Sequence, residues 1–244
     1  MKKILLYCLL FTLAVTVTGT LAFSVNKEDT RFITNTVNPK KQDVKLYYKD
    51  DKQQRFGSIL NLKRWVEKQN RQLVFAMNGG MYKQDHSPQG LYIEDSKTLS
   101  PTDTLTTPAG NFYLQPNGIF YIDVKNIPGI ARTPKFQNSN KIKYATQSGP
   151  MLVIDGTLHP AFKQGSANVQ IRNGVGILPD GSIVFAMSKE PLNFYDFALY
   201  FKNLGCKNAL YLDGFVSRTY LPQLNQLQTD GDFGVIIGVT GRAK

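Results

Sequence analysis

Apolar residues recur at helical spacing in two parts of this chain. Residues 58–69 carry them on one face behind Ser58, whose hydroxyl can accept a hydrogen bond from the first turn. Residues 193–205 repeat the pattern between Asn193, a second N-cap residue, and Gly205, which can end the helix. The pattern therefore predicts two main helices.

Elsewhere, short apolar runs are separated by glycine, proline, asparagine and aspartate, which is typical of strands joined by turns. Residues 73–77 form a continuous apolar run and predict a buried strand, whereas 115–118 and 179–181 have compositions that predict hairpin turns. Many strands with two helices indicate an α+β fold, a single domain with a large mixed, mainly antiparallel sheet. The predicted strands are 44–48, 73–77, 90–94, 111–114, 118–122, one within 144–154, 174–178, 182–187, 209–212 and 233–239.

The first residues differ in character from the rest of the chain. Two lysines precede an apolar stretch that ends at Ala22, where small residues suit a cleavage site. This pattern predicts a signal peptide over 1–22 and export to the periplasm or the medium, with an uncleaved membrane anchor as the alternative. Residues 23–43 then form an N-terminal extension, and 44–244 form the functional domain.

Basic side chains outnumber acidic ones, and the formal net charge is +11 at pH 7. Such a surface attracts polyanions. Because the basic residues are dispersed rather than clustered, we expect a phosphorylated sugar or a cell-envelope glycan as partner, an anionic membrane surface as a second candidate, and no nucleic acid. Cys206 is the only cysteine beyond the signal segment, so neither a disulfide nor a thiolate metal site is expected. No cofactor motif is present, and the oligomeric state is left open.

Three charged residues follow apolar runs and are candidates for chemistry. Asp213 comes directly after the predicted strand 209–212 and could be a general base, a nucleophile, a cation ligand or only a surface turn acid. Arg172 and Arg218 could contact a phosphate or carboxylate with two parallel hydrogen bonds. A simple charge at a sheet edge, or an ion pair between Arg218 and Asp213, are the alternatives.

A second group of candidates follows the buried strand 73–77. Asn78, Gly79 and Gly80 could present one amide and two backbone N–H groups to an oxyanion, or could form only a turn. Asp85 and His86 lie in a polar loop, where a solvated role competes with a functional one.

Five segments in a fixed order resemble the phosphodiester glycosidase family, from residue 44 to the C-terminus. They are 78–82, 147–150, 172–176, the predicted helix 193–205 and the following segment 211–217. The better-known members are similar at the acid but have glycines where this chain has Phe215 and Val216, which leaves less room beside Asp213.

The resemblance implies a hydrolase that removes a sugar from a phosphodiester. We therefore expect two sets of site residues and no metal ligands. The candidate catalytic residues are Asp213, Asn78 and Asp85, and the candidate substrate-binding residues are Arg172, Arg218, Gly79, Gly80, His86, Ser148 and Ser217.

Two other functions compete with this expectation. A glycan- or polyanion-binding protein would use the same cleft without a productive carboxylate. A metal-dependent phosphodiesterase would use Asp85, Asp213 and Asn78 as oxygen ligands. The phosphodiester hydrolase is favoured because a phosphate monoester is a weakly basic leaving group, which needs little help from a general acid.

Overall fold

The computed structural model describes residues 29–107, 109–214 and 216–243, so the predicted signal peptide and Phe215 lie outside the described residues. The two predicted helices are present as α1 (Ile59–Lys68) and α2 (Phe194–Asn203). The Ser58 side chain accepts a hydrogen bond from the Asn61 N–H, and the Asn193 side chain accepts one from the Asp196 N–H. Both caps therefore begin the helices where the sequence predicts them.

The strands form three sheets in which every strand pair of the described residues is antiparallel. The strands are β1 (Phe32–Val37), β2 (Asp43–Tyr47), β3 (Arg71–Asn78), β4 (Tyr92–Glu94), β5 (Lys97–Ser100), β6 (Gly118–Asp123), β7 (Pro128–Arg132), β8 (Ile142–Ser148), β9 (Met151–Ile154), β10 (Thr157–Leu158), β11 (Asn173–Ile177), β12 (Ile183–Ser188), β13 (Ala209–Asp213), β14 (Thr219–Leu221), β15 (Gln226–Leu227) and β16 (Ile236–Arg242).

The three sheets have six, five and five strands. The first has the order β1-β12-β11-β13-β9-β10, the second β15-β14-β3-β16-β2, and the third β5-β4-β8-β6-β7. The α+β class, the antiparallel character and the two helices are confirmed. The predicted large sheet is divided into these three sheets, and strands that follow one another along the chain often belong to different sheets.

Three local differences from the sequence expectations have clear causes. Residues 111–114 were expected to be a strand, but Asn111–Tyr113 is a 3-10 turn in which the Tyr113 and Leu114 N–H groups bond back to Gly110 and Asn111. The segment 144–154 contributes two strands to two sheets, because the chain turns at Gly149 and Pro150.

The third difference concerns the N-terminal extension. Within the segment 23–43, β1 pairs along its whole length with β12, from Phe32 opposite Ser188 to Val37 opposite Ile183. Its side chains at Ile33 and Val37 belong to the core. The described part of the extension is therefore an integral edge of the first sheet.

The main core lies between the three sheets and contains side chains from each of them. Two smaller clusters join the helices to the outer faces: α1 packs on β3, and α2 packs on β9 and β10. None of the helices in the described residues has the length and apolar character needed to cross a bilayer.

Candidate functional site

Strand ends from all three sheets meet at one end of the core. Asn78 ends β3 in the second sheet, Ser148 ends β8 in the third, and in the first sheet Asn173 begins β11 opposite Asp213, the last residue of β13. The Ser148 hydroxyl donates to the Leu212 carbonyl over 2.9 Å, which ties the third sheet to the first beside Asp213.

A network of amides holds the Asp213 carboxylate at this junction. The Asn78 side chain donates from Nδ2 to Asp213 Oδ2 over 3.1 Å, and the Gly214 N–H donates to Asp213 Oδ1 over 2.6 Å. Asn173 accepts from the Asp213 N–H with its Oδ1 (2.8 Å) and donates through Nδ2 to Asn78 Oδ1 (2.7 Å). Amide donors therefore hold both carboxylate oxygens in place.

The surroundings fix the orientation of this network. Asn78 Oδ1 also accepts from the Arg218 N–H over 3.1 Å, so the Asn78 amide can only turn its NH₂ group toward Asp213. Asn78 and Asn173 are completely buried, whereas Asp213 is 8% exposed. Asp213 is therefore the most exposed of these three residues.

Glycine is required at two positions around the acid. A Cβ at Gly214 would lie 1.8 Å from the Tyr211 hydroxyl, and a Cβ at Gly79 would lie 2.8 Å from the Ile237 side chain. The Gly79 N–H donates to the Val235 carbonyl, so this amide serves the fold rather than standing ready for an oxyanion. Gly80 is the next residue, and a Cβ at this position would lie 2.7 Å from Thr146 Oγ1.

Arg172 lies next to Asn173, but its side chain is completely buried. Its Nε donates to the Leu192 carbonyl (2.7 Å), its NH2 group to the Asn168 carbonyl (2.9 Å) and its NH1 group to the Tyr211 hydroxyl (3.4 Å). The guanidinium also lies 3.6 Å from the centre of the Phe194 ring. Burial lowers the pKa of Arg172, and Tyr211 partly offsets this effect.

Arg218 has a different environment at the surface. Its Nε donates to the Asp230 carboxylate over 2.9 Å, and the two side chains form an ion pair. The Ser217 hydroxyl donates to the Asp213 carbonyl over 3.2 Å. Ser148 and Ser217 thus both fix the backbone around the acid.

Asp85 and His86 lie on a loop beside the junction. Both the Ser87 hydroxyl and the Ser87 N–H donate to the exposed Asp85 carboxylate, and these bonds lower its pKa. The His86 ring stacks on the Tyr82 ring at 5.0 Å, and its Nε2 lies 3.0 Å from the Asp232 carboxylate. Burial raises the pKa of Tyr82, and the negative charges of Asp213 and Asp232 raise it further.

Two residues of this site were not selected from the sequence. Asn173 links Asn78 to Asp213, and Tyr82 lies within electrostatic reach of Asp213. Both belong to segments that the sequence analysis singled out, 172–176 and 78–82. The pairing of β11 with β13 could have identified Asn173, but that register is not visible in the sequence.

The described residues contain no group of three or more His, Cys, Asp or Glu side chains that could hold a metal ion. A metal-dependent phosphodiesterase would need Asp85, Asp213 and Asn78 to bind one cation. The Asp85 carboxylate accepts hydrogen bonds from the N–H and the hydroxyl of Ser87. The arrangement at Asp213 suits a single carboxylate that acts as nucleophile or base.

Comparison with known proteins identifies relatives of this chain. A family model described as "Phosphodiester glycosidase" matches residues 71–240. The uncharacterized protein YigE of Escherichia coli (strain K12) is 40% identical over 187 residues, which span 76% of this chain and 72% of YigE.

Two solved structures share the fold at low sequence identity. The zebrafish N-acetylglucosamine-1-phosphodiester alpha-N-acetylglucosaminidase catalytic domain, auto-inhibited by its pro-peptide, has a TM-score of 0.57 at 13% identity, covering 87% of this chain and 84% of that domain. A hypothetical protein from Synechocystis has a TM-score of 0.54 at 15% identity, with 86% and 59% covered. Because the family model matches residues 71–240, more than half of the sequence, the chain belongs to the phosphodiester glycosidase family.

Proposed function

We propose that this protein is an exported hydrolase of sugar-1-phosphodiester bonds or of related bonds in a cell-envelope glycan. The observation that carries the proposal is the Asp213 carboxylate, held by Asn78 and Gly214 where three sheets meet, in a chain of the phosphodiester glycosidase family. The basic surface supports a phosphorylated substrate.

The chemistry requires one carboxylate near the anomeric carbon. Asp213 attacks that carbon directly, forming a glycosyl ester that water then hydrolyses, or it removes a proton from a water that attacks the carbon. In both routes the bond from the anomeric carbon to the phosphate oxygen breaks. The phosphate monoester leaves with the bonding electrons and needs little protonation, so a strong general acid is not essential. Asn78 and Asn173 supply the orientation, because both amides are buried and hydrogen-bonded.

The phosphate is assigned to Arg218. Its ion pair with Asp230 is partly exposed, with side-chain exposures of 37% and 64%. Such pairs are worth only about 0–1 kcal/mol, so Arg218 can exchange Asp230 for a phosphate at little cost. Arg172 contributes a positive charge behind the site. Its direct contact with phosphate stays a prediction, because the guanidinium would first have to leave its protein acceptors.

The test is a screen of the purified protein against sugar-1-phosphodiesters, with released reducing sugar as readout and folded Asp213→Asn as the control. We expect the wild-type protein to release reducing sugar and the Asp213→Asn variant not to release it. Salt-sensitive glycan binding without turnover would indicate a glycan-binding protein rather than a hydrolase. Turnover that appears only after a divalent cation is added would favour the metal-dependent phosphodiesterase.

Export is a separate part of the proposal and has its own test. N-terminal mass spectrometry of the protein from cells should show a mature chain that starts near Phe23. A chain that retains Met1 in the membrane fraction would favour the uncleaved anchor.

A further inference from the structure

Tyr211 lies on β13 two residues before Asp213, and its hydroxyl contacts both the Arg172 guanidinium and Gly214. Tyr211 is 1% exposed, and Arg172 is completely buried. A substrate that approaches from solvent therefore reaches neither group in this structure. Any effect of these two residues on the reaction has to pass through the residues that they contact.

A bulge in β13 accompanies this placement. Asn173 pairs with Asp213 and Gly174 pairs with Tyr211, so β13 contains one additional residue, Leu212, between the two pairs. Bulges bend a strand and change the direction of its side chains, and they are common next to active sites. The step from Tyr211 to Asp213 is therefore irregular, and the orientation of Asp213 depends on the contacts of its neighbours.

Arg172 is connected to β13 through Tyr211. The four acceptors of its guanidinium are the Leu192 carbonyl, the carbonyl and the side-chain oxygen of Asn168, and the Tyr211 hydroxyl. Among these four, only the Tyr211 hydroxyl belongs to β13. Phe194 fixes both groups, because the guanidinium lies 3.6 Å from the centre of its ring and the Tyr211 ring packs edge-on at 4.8 Å. The hydroxyl is therefore held in one position.

The Tyr211 hydroxyl in turn limits where Gly214 can lie. A Cβ at Gly214 would be only 1.8 Å from the hydroxyl oxygen and 3.3 Å from the Ile171 carbonyl oxygen, so Gly214 packs against both oxygens. The Gly214 N–H donates to Asp213 Oδ1 over 2.6 Å. Because this hydrogen bond orients the carboxylate, a shift of Gly214 would also turn the carboxylate of Asp213.

The charges around Tyr211 agree with this arrangement. Burial raises the pKa of Tyr211, the positive charge of Arg172 lowers it, and the negative charge of Asp213 raises it. The net effect is a raised pKa, so the hydroxyl is protonated at neutral pH. Tyr211 is therefore a neutral hydrogen-bonding group within electrostatic reach of both charged residues.

We infer that Tyr211 is a positioning residue: its hydroxyl holds Gly214 so that the Gly214 N–H stays on Asp213, and Arg172 acts on the site through Tyr211. This inference rests on the proposed function. It gives the buried Arg172 a role in the reaction that requires no contact with the phosphate.

Tyr211→Phe removes the hydroxyl and keeps the ring. We expect kcat for a sugar-1-phosphodiester to fall about tenfold, because a misplaced reacting group loses rate. KM should stay within about twofold, since Tyr211 does not contact the substrate. Tyr144→Phe is the matched control, because Tyr144 is also buried and its hydroxyl donates to Asp95 rather than to the Asp213 network. Equal kcat in the two variants, or a raised KM with unchanged kcat, would overturn the inference.

A double variant asks whether Arg172 acts through Tyr211. If it does, Arg172→Lys and Tyr211→Phe disturb the same contact, and kcat of the double variant should lie within about twofold of the lower single variant. If the Arg172 guanidinium instead contacts the phosphate directly, the two losses should multiply. Multiplied losses would overturn the link between Arg172 and Tyr211.

The space at Gly214 allows a test by rescue. Gly214→Ala places a Cβ against the Tyr211 hydroxyl and should lower kcat more than Tyr211→Phe does. Without the hydroxyl oxygen, the nearest atom of the ring is Cζ, at 3.1 Å from the Cβ position. Gly214→Ala combined with Tyr211→Phe should therefore be at least about threefold more active than Gly214→Ala alone. A combined variant that is no more active would overturn the control of Gly214 by the hydroxyl.

Amide hydrogen exchange separates this inference from the proposed function, because it needs no turnover. Measured by NMR, the Gly214 N–H should exchange at least about tenfold faster in Tyr211→Phe than in the wild-type protein or in Tyr144→Phe. That difference would support the positioning role even if no sugar-1-phosphodiester were hydrolysed, and the failure would then concern the hydrolase alone. Equal exchange of the Gly214 N–H in all three proteins would overturn the inference.

Discussion

The acid Asp213 is held in a different way from the acid pair Glu94 and Asp95. Asp213 lies where three sheets meet, and amide N–H groups from Asn78 and Gly214 donate to its two oxygens. Glu94 and Asp95 lie at the end of β4 in one sheet, where the hydroxyls of Tyr92 and Tyr144 donate to them.

The two environments differ in what the hydrogen bonds connect. Burial raises the pKa of Glu94, and the Tyr92 hydrogen bond partly offsets this effect. The tyrosine partners belong to β4 and β8 of the same sheet, so this group stabilises local packing. The Asp213 network instead joins strand ends that are far apart in sequence and belong to different sheets.

The sharpest test of the comparison is removal of each charge in turn. Asp213→Asn should lower kcat at least ~10²-fold, the low end for a positioned acid or base, while Asp95→Asn should leave kcat within about twofold. Steady-state kinetics on a sugar-1-phosphodiester measures both. Near-wild-type turnover by folded Asp213→Asn would end its catalytic role and favour Asp85 or a binding protein.

The network around Asp213 should also be important for stability. Asn173→Ala removes the partner of the Asp213 N–H and one donor to Asn78, both buried. We expect a loss of about 2–3 kcal/mol in the free energy of unfolding, since unsatisfied buried groups cost about 1–3 kcal/mol each. Urea unfolding gives the value, and exposed Asn138→Ala should change it by less than about 0.5 kcal/mol. Equal effects would mean that the buried hydrogen bonds of Asn173 do not contribute to stability.

Arg172→Lys tests whether the buried guanidinium serves the substrate. Lysine keeps the charge but loses the planar fork. A direct phosphate contact predicts that transition-state binding weakens by roughly 1.5–3 kcal/mol, measured as kcat/KM of the folded variant. Arg132→Lys, an exposed arginine bonded to Asp155, is the control. A loss of unfolding free energy with unchanged kcat/KM would assign Arg172 to the fold alone.

The smallest effect is expected at Glu94 and concerns pH. Because the pKa of Glu94 is raised in the folded protein, folding favours its neutral form, and this stabilisation is lost as the pH rises from the unfolded pKa through the folded one. Glu94→Gln cannot ionise. Its unfolding free energy relative to the wild-type protein should therefore increase across that window.

Local patterns were sufficient for the helices and most strands. Ser58 and Asn193 cap α1 and α2 because capping depends on a side chain and the first turn only. The 3-10 turn at Asn111–Tyr113 was missed because an apolar run of three residues is compatible with either a strand or a turn. The split of 144–154 between two sheets depends on where each strand finds its partner, which is not local.

The sequence by itself determined the α+β class, the two helices and the segments from which the site is built. Only the tertiary structure decided how these segments meet. It places Asn78 against Asp213, recruits Asn173 between them, pairs Arg218 with Asp230 and buries Arg172 against Phe194. The physical reason is that contacts between distant residues set the register of each strand and the strand with which it pairs. These contacts decide which polar side chains meet at the end of the core and which are buried away from it.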